Sequence, residues 1–107
     1  MSIDDFCGVL AAFSAAYSVP FRHYEYSEPT AAPCIAWYEA DGENIQADSV
    51  NVLDDVYIRV ELYVRPEDTE TAGRLEAYLT ENGLAYDRAR SWISERHEVM
   101  MIYEITL

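Results

Sequence analysis

From Val56 to Arg65 the chain alternates without a break. Val56, Ile58, Val60, Leu62 and Val64 are apolar, and Tyr57, Arg59, Glu61, Tyr63 and Arg65 stand between them. A period of two sustained this long predicts a strand with one dry face and one polar face. A helix would turn about 100° per residue and scatter the apolar set around its cylinder. Each buried side chain contributes roughly 1.5–3 kcal/mol before conformational entropy is counted. This strand is therefore the expected centre of the core.

The rest of the chain reads as elements that could pack on it. Ile3, Phe6, Cys7, Leu10, Phe13 and Tyr17 recur at helical spacing, which predicts a helix over 3–17 with one apolar face. Ser2 and Asp5 have capping-box spacing, and Asp4 and Asp5 suit the positive end of the helix dipole. The other face carries Gly8, Ala11, Ala12, Ser14 and Ala15, either a short-side-chain surface or room for a close neighbour. Pro20 ends the helix, and Phe21 to Tyr26 alternates as a short first strand. Ser27 to Pro33 reads as an extended loop. Cys34 to Glu39 is a second strand, ended by the turn signal Asp41-Gly42. Asn44 to Ser49 is polar, a loop or a short irregular strand. Val50 and Val52 share the register of the central strand, so its ladder could begin there with a bulge at Asp54-Asp55.

After Pro66 the acids Glu67, Asp68 and Glu70 suit the start of a helix over 68–82, with Ala72, Leu75, Tyr78 and Leu79 on its buried side. Asn82-Gly83 supplies a left-handed cap onto which Leu84 can fold. Residues 84–93 predict a fourth strand, Ser94 to His97 a turn, and Val99 to Leu107 a fifth strand. Met100 and Ile102 make the start of that strand apolar on both sides, as a central position or an outer-face contact requires. The order α-β-β-β-α-β-β predicts a single α+β domain over 1–107. Its antiparallel sheet has four to five strands, with both helices packed on one face.

Charge narrows the functional classes. The chain has twenty acids against seven basic residues, all arginine, for a formal net charge of −13. Such a surface is repelled by free nucleic acid and by anionic lipid. Arg22 is the single basic residue before position 56, so the first half carries most of the negative field. Cys7 and Cys34 lie in apolar surroundings without a CxxC spacing and read as two buried free thiols. The start Met1-Ser2-Ile3-Asp4-Asp5 is acidic, no secretory leader is expected, and residence in cytosol follows as the default. No apolar run approaches the ~20 residues that span a bilayer.

Candidate chemistry is sparse. No phosphate loop, dinucleotide fingerprint or nucleophile elbow occurs. His23 and His97 have no partner at metal spacing. Ser14, Ser18 and Ser91 have no context for activation. No catalytic residue, cofactor or metal is assigned. Glu39, Asp41, Glu43, Asp48, Asp54 and Asp55 crowd one stretch, but Asp41-Gly42-Glu43-Asn44 breaks the calcium-loop pattern. They read as an acidic loop, facing either solvent, a basic partner or a passage. Tyr57, Arg59, Glu61, Tyr63 and Arg65, on the polar face of the central strand, are the residue types enriched where proteins meet. They are the candidate subunit or partner interface. The competing reading is cross-strand pairing on an exposed sheet, for instance Arg59 with a facing acid.

Several stretches, in order, resemble the small tail-completion, tail-terminator-like proteins of phages and prophages with long non-contractile tails. Pro33-Cys34-Ile35-Ala36-Trp37-Tyr38 looks like that group's P-x-I-x-Y-Y strand. Asp41 to Asp48 looks like its D-x-x-N-x-x-A-D loop, and Val60-Glu61-Leu62-Tyr63 like its I-E-L-Y strand. Leu75-Glu76 through Asn82-Gly83-Leu84-Ala85-Tyr86 looks like its helix and N-G-I-x-Y exit. Ile93-Ser94-Glu95 and Ile102-Tyr103-Glu104-Ile105 look like its closing hairpin. Where that group carries lysines after the I-E-L-Y strand, this chain has Arg65-Pro66-Glu67-Asp68. The resemblance implies a ring, hexameric by analogy, that caps a finished tail tube and joins it to the head. Its partners would be copies of itself and tail-tube or neck proteins. It would be made in the host bacterial cytoplasm and reside in the virion. An acidic lumen formed by residues 39–55 would keep passing DNA from sticking. A small acidic regulatory or inhibitory binding module is the main alternative, and an enzyme subunit a more distant one.

Overall fold

The alternation at 56–65 becomes the middle of a five-stranded sheet. The computed structural model describes residues 1–23, 31–40 and 56–107. Within them the chain runs α1 (Ile3–Tyr17), β1 (Phe21–His23), β2 (Cys34–Glu39), β3 (Tyr57–Val64), α2 (Thr71–Glu81), β4 (Tyr86–Ile93) and β5 (Glu98–Thr106). The strand order across the sheet is β1-β2-β3-β5-β4. This is an α+β domain, and the α-β-β-β-α-β-β order stands.

Ile58, Val60, Leu62 and Val64 are all buried, in one cluster with Phe6, Leu10 and Phe13 of α1 and Leu75 and Leu79 of α2. Ile35 and Trp37 of β2 and Val99, Tyr103 and Ile105 of β5 complete it. Both helices therefore cover the same side of the sheet. Its other side carries the residues between, in the register Tyr38↔Arg59, Ala36↔Glu61 and Cys34↔Tyr63.

The sheet is mixed, which corrects the antiparallel expectation. β1 runs parallel to β2, Phe21 opposite Ile35 and His23 opposite Trp37, while every other pairing is antiparallel. The reason is the connection. Residues 24–33 separate these strands, too many for a tight hairpin. A three-residue strand requires a return of only about 10 Å before a parallel partner can start. The loop expected at 27–33 is described only from residue 31, and Asp41-Gly42, Asn44 to Ser49 and the Val50–Asp55 stretch lie outside the described residues.

The caps explain the element ends. The Ser2 hydroxyl accepts from the Asp5 amide at 3.1 Å while the Asp5 carboxylate accepts from the Ser2 amide at 3.3 Å, a complete capping box. α1 stops at Tyr17, before Pro20, because Ser18 turns left-handed at φ 57°. α2 starts three residues later than the acids suggest, since Asp68 caps it from outside: its carboxylate accepts from the Glu70 and Thr71 amides at 3.1 Å each and from the Thr71 hydroxyl at 2.6 Å. At the other end Gly83 has φ 74°, where glycine meets no Cβ penalty. The Leu84 amide donates to the Leu79 carbonyl at 2.9 Å and Gly83 to Thr80 at 3.0 Å, the paired bonds of a Schellman cap. Leu84 thus belongs to the cap, and β4 begins at Tyr86.

Candidate functional site

The polar face of β3 is the one that neither α1 nor α2, the two helices among the described residues, covers, and its side chains form a connected series. Glu61 lies at the centre and is only 5% exposed. A carboxylate held that far from water must be compensated by partners. Tyr63 donates its phenol to Glu61 Oε1 at 2.6 Å, and Arg59 Nε stands 3.3 Å from Oε2. Flanking Glu61 in register are Ala36 on β2 and Ile102 on β5, small and apolar neighbours that add no charge. Tyr38 lies in register with Arg59, whose guanidinium sits 6.0 Å from the centre of its ring. On the far side the Arg96 guanidinium lies 5.3 Å from the centre of the Tyr63 ring, with its Nε 2.9 Å from Glu98 Oε1. The result is a chain of alternating aromatic and charged groups: Tyr38, Arg59, Glu61, Tyr63, Arg96, Glu98. Arg59 Nε and Glu98 Oε1 are buried and meet opposite charge without completing a hydrogen bond among the described residues.

Of the five residues expected on this face, Tyr57, Arg59, Glu61 and Tyr63 share it. Arg65 lies past the end of β3 at Val64 and is exposed, lining one groove with Arg88 and Arg90 of β4 and another with Trp92, Arg96 and Glu98. The position beside Tyr63 is filled instead by Arg96 from the β4–β5 turn. Glu104 of β5 faces Arg59 in register, the cross-strand partner that the competing reading called for, yet Arg59 makes its ion pair with Glu61 on its own strand, two residues along. Two same-face residues on one strand are close enough for that contact. Of the acidic stretch, Glu39 is exposed at the end of β2, while Asp41, Glu43, Asp48, Asp54 and Asp55 lie outside the described residues. Tyr38, Arg96 and Glu98 were not singled out from sequence. Tyr38 was in principle legible, since it alternates with the core residue Trp37. Arg96 was not, because its reach depends on the turn.

A second polar cluster ties helix to sheet. Glu76 of α2 accepts from the Tyr103 phenol at 2.8 Å, from the Tyr86 phenol at 3.4 Å, and from Arg88 at 3.0 and 3.1 Å. Burial, then the bond to Glu76, hold the Tyr103 phenol well above its ordinary range. The paired ion makes the Arg88 guanidinium still harder to deprotonate. With each donor committed to one carboxylate, the arrangement fastens α2 to β4 and β5.

Both cysteines are free thiols. Cys34 is buried, whereas Cys7 is only half-buried, which corrects one of the two burial expectations. Burial pushes both thiols up, with Asp4 adding to the effect at Cys7, so neither is activated as a thiolate. Among the described residues, no group of three or more His, Cys, Asp or Glu is placed to hold a metal, and no helix is long and apolar enough to cross a membrane. Comparison with protein-family models, with curated proteins and with solved structures yields no match.

Proposed function

We propose that this chain is a non-enzymatic assembly protein of a tailed phage or prophage particle, forming an oligomeric ring at the head–tail junction that caps the tail tube. The observation that carries the reading is the sheet face opposite α1 and α2, which no helix among the described residues covers. Tyr38, Tyr57, Arg59 and Tyr63 lie there, flanked on β5 by the half-buried Met100 and Ile102. Aromatic and arginine side chains around apolar ones are the composition of protein contact surfaces, where they supply area at low entropic cost. The resemblance of the β2, β3, α2 and closing-hairpin stretches to tail-completion proteins supplies the setting. The ring partners are copies of the chain and tail-tube or neck proteins. The net charge of −13 opposes adhesion to DNA passing through such a junction.

The acidity favours one other reading, a small regulatory or inhibitory module whose acid-rich 39–55 stretch meets a basic protein. Sizing by light scattering together with co-sedimentation on purified tail tubes separates them. A ring, or binding to tubes, supports the assembly role. A monomer with no affinity for tubes supports the binding module.

A further inference from the structure

Among the described residues β4 is the outermost strand on its side of the sheet and, at eight residues, the longer of the two edges. An open strand edge offers unpaired backbone groups to another extended chain. The helix-side row of β4 runs Tyr86, Arg88, Arg90, Trp92, in register with Ile105, Tyr103, Met101 and Val99. α2 reaches Tyr86 and Arg88 through Glu76, while Arg90 and Trp92 are left exposed. Trp92 is 54% exposed, the most exposed large apolar side chain among the described residues. Arg65, past the end of β3, comes to the same side, and with Arg90 it lines a groove of about 550 Å³. Arg65 and Arg90 are both exposed, and neither side chain has a partner among the described residues. The acids of the groove are committed elsewhere, Asp68 to the α2 cap and Glu76 to Arg88 and Tyr103. In a chain this acidic, two unpaired arginines beside an indole and an open edge fit an extended segment bearing carboxylates.

The chain itself contains a carboxylate-rich stretch. Residues 39–55 hold Glu39, Asp41, Glu43, Asp48, Asp54 and Asp55 and no basic residue. The described residues at its two ends fix where it leaves and rejoins the sheet. The Ala40 amide bonds the Tyr57 carbonyl at 2.8 Å, and the Leu107 amide bonds the Val56 carbonyl at 2.8 Å. That is the end of the strands opposite Val64, Val99 and Trp92, a strand length of roughly 25 Å away. The described residues that flank the acid-rich segment, Ala40 and Val56, and the arginine groove thus lie at opposite ends of the sheet, the arrangement a head-to-tail contact needs. Such contacts close into rings when the rotation permits. We propose that the Arg65–Arg90–Trp92 edge of one copy receives the 39–55 segment of a second copy, laid along β4. This rests on the ring reading for its setting and names one of its surfaces. The copies repel as whole molecules, but at 0.15 M salt that repulsion is screened beyond about 8 Å, while charge pairs in contact are screened far less.

The test titrates a synthetic peptide of residues 39–55 into the full-length protein at 0.15 M salt, read by amide and tryptophan indole NMR shifts. The expected result is saturable shifts centred on β4 and the Trp92 indole. Affinity should fall about tenfold or more in R65E/R90E, whose exposed, unpartnered positions leave the fold intact by circular dichroism. A peptide with its six acids replaced by amides should not bind. The proposal is overturned by absence of saturable shifts, by shifts centred away from β4, or by unchanged affinity in R65E/R90E. Equal binding of a scrambled peptide of the same charge would overturn the second copy as occupant and point to acidic partners in general. Particle morphology plays no part in this assay, so failure here and failure of the ring reading are read separately.

Discussion

The Tyr103 phenol, at the centre of β5 and fully buried, donates to Glu76 Oε2 of α2 at 2.8 Å. This bond and the Arg88 pair anchor the second helix over the sheet, and with it the side of the molecule that the outer face must not be covered by.

The bond gives an alkaline signature. Tyr103 is held above the ordinary phenol value of 10.0 when folded, first by burial and then by Glu76. Above pH 10 the unfolded chain loses a proton that the folded chain keeps. This stability contribution is full below pH 10 and falls as pH rises, by up to about 1.4 kcal/mol per pH unit for one such group. Tyr103→Phe removes that slope and, by taking a donor from Glu76, costs about 1–3 kcal/mol at neutral pH. Urea denaturation between about pH 8 and pH 11.5 checks both. An identical alkaline slope in wild type and variant would contradict the assignment.

Asp68 gives the opposite signature. Burial raises its carboxyl, but the Thr71 hydroxyl and the Thr71 and Glu70 amides outweigh this and hold it below the ordinary 3.8. A depressed carboxyl contributes stability that is present above pH 3.8 and is lost as pH falls through the folded value. Asp68→Ala therefore costs about 1 kcal/mol at pH 7, as for loss of a helix cap. The difference between wild type and variant should shrink toward pH 2 in denaturation curves. A gap that stays constant into acid would show that the cap does not depend on the carboxylate.

The two faces of β3 should respond differently. Leu62 is fully buried, and Leu62→Ala should cost about 2–5 kcal/mol with a lowered Tm. Tyr57→Ala, on the face opposite α1 and α2, should cost less stability than Leu62→Ala yet remove binding to tail tubes. Thermal melts and tube co-sedimentation on the same preparations decide this. A Tyr57→Ala protein that still binds tubes would take that face out of the contact.

Much of the architecture was legible because single-residue periodicity carried it. Ile58 to Val64, the Ser2–Asp5 box and the Gly83 cap each encode their geometry within a few residues. The parallel β1 was not legible, since its partner is chosen by where residues 24–33 return the chain and three residues give no period. The competing reading paired Arg59 across strands, but Glu61 on its own strand lies within reach on the same face. Arg65 followed the alternation in sequence while the strand stopped one residue earlier. The Glu76–Tyr103 bond joins residues 27 apart in the chain and follows from the packing of α2 on β5, which no local pattern states.

The most direct measurement is electron microscopy of particles from the phage or prophage that encodes this chain, with its gene deleted and then restored as wild type or with Tyr57, Arg59 and Tyr63 replaced. The account predicts headless, overlong tails on deletion, rescued by wild type and not by the triple variant. Complete particles with normal tails after deletion, or full rescue by a folded triple variant, would contradict it.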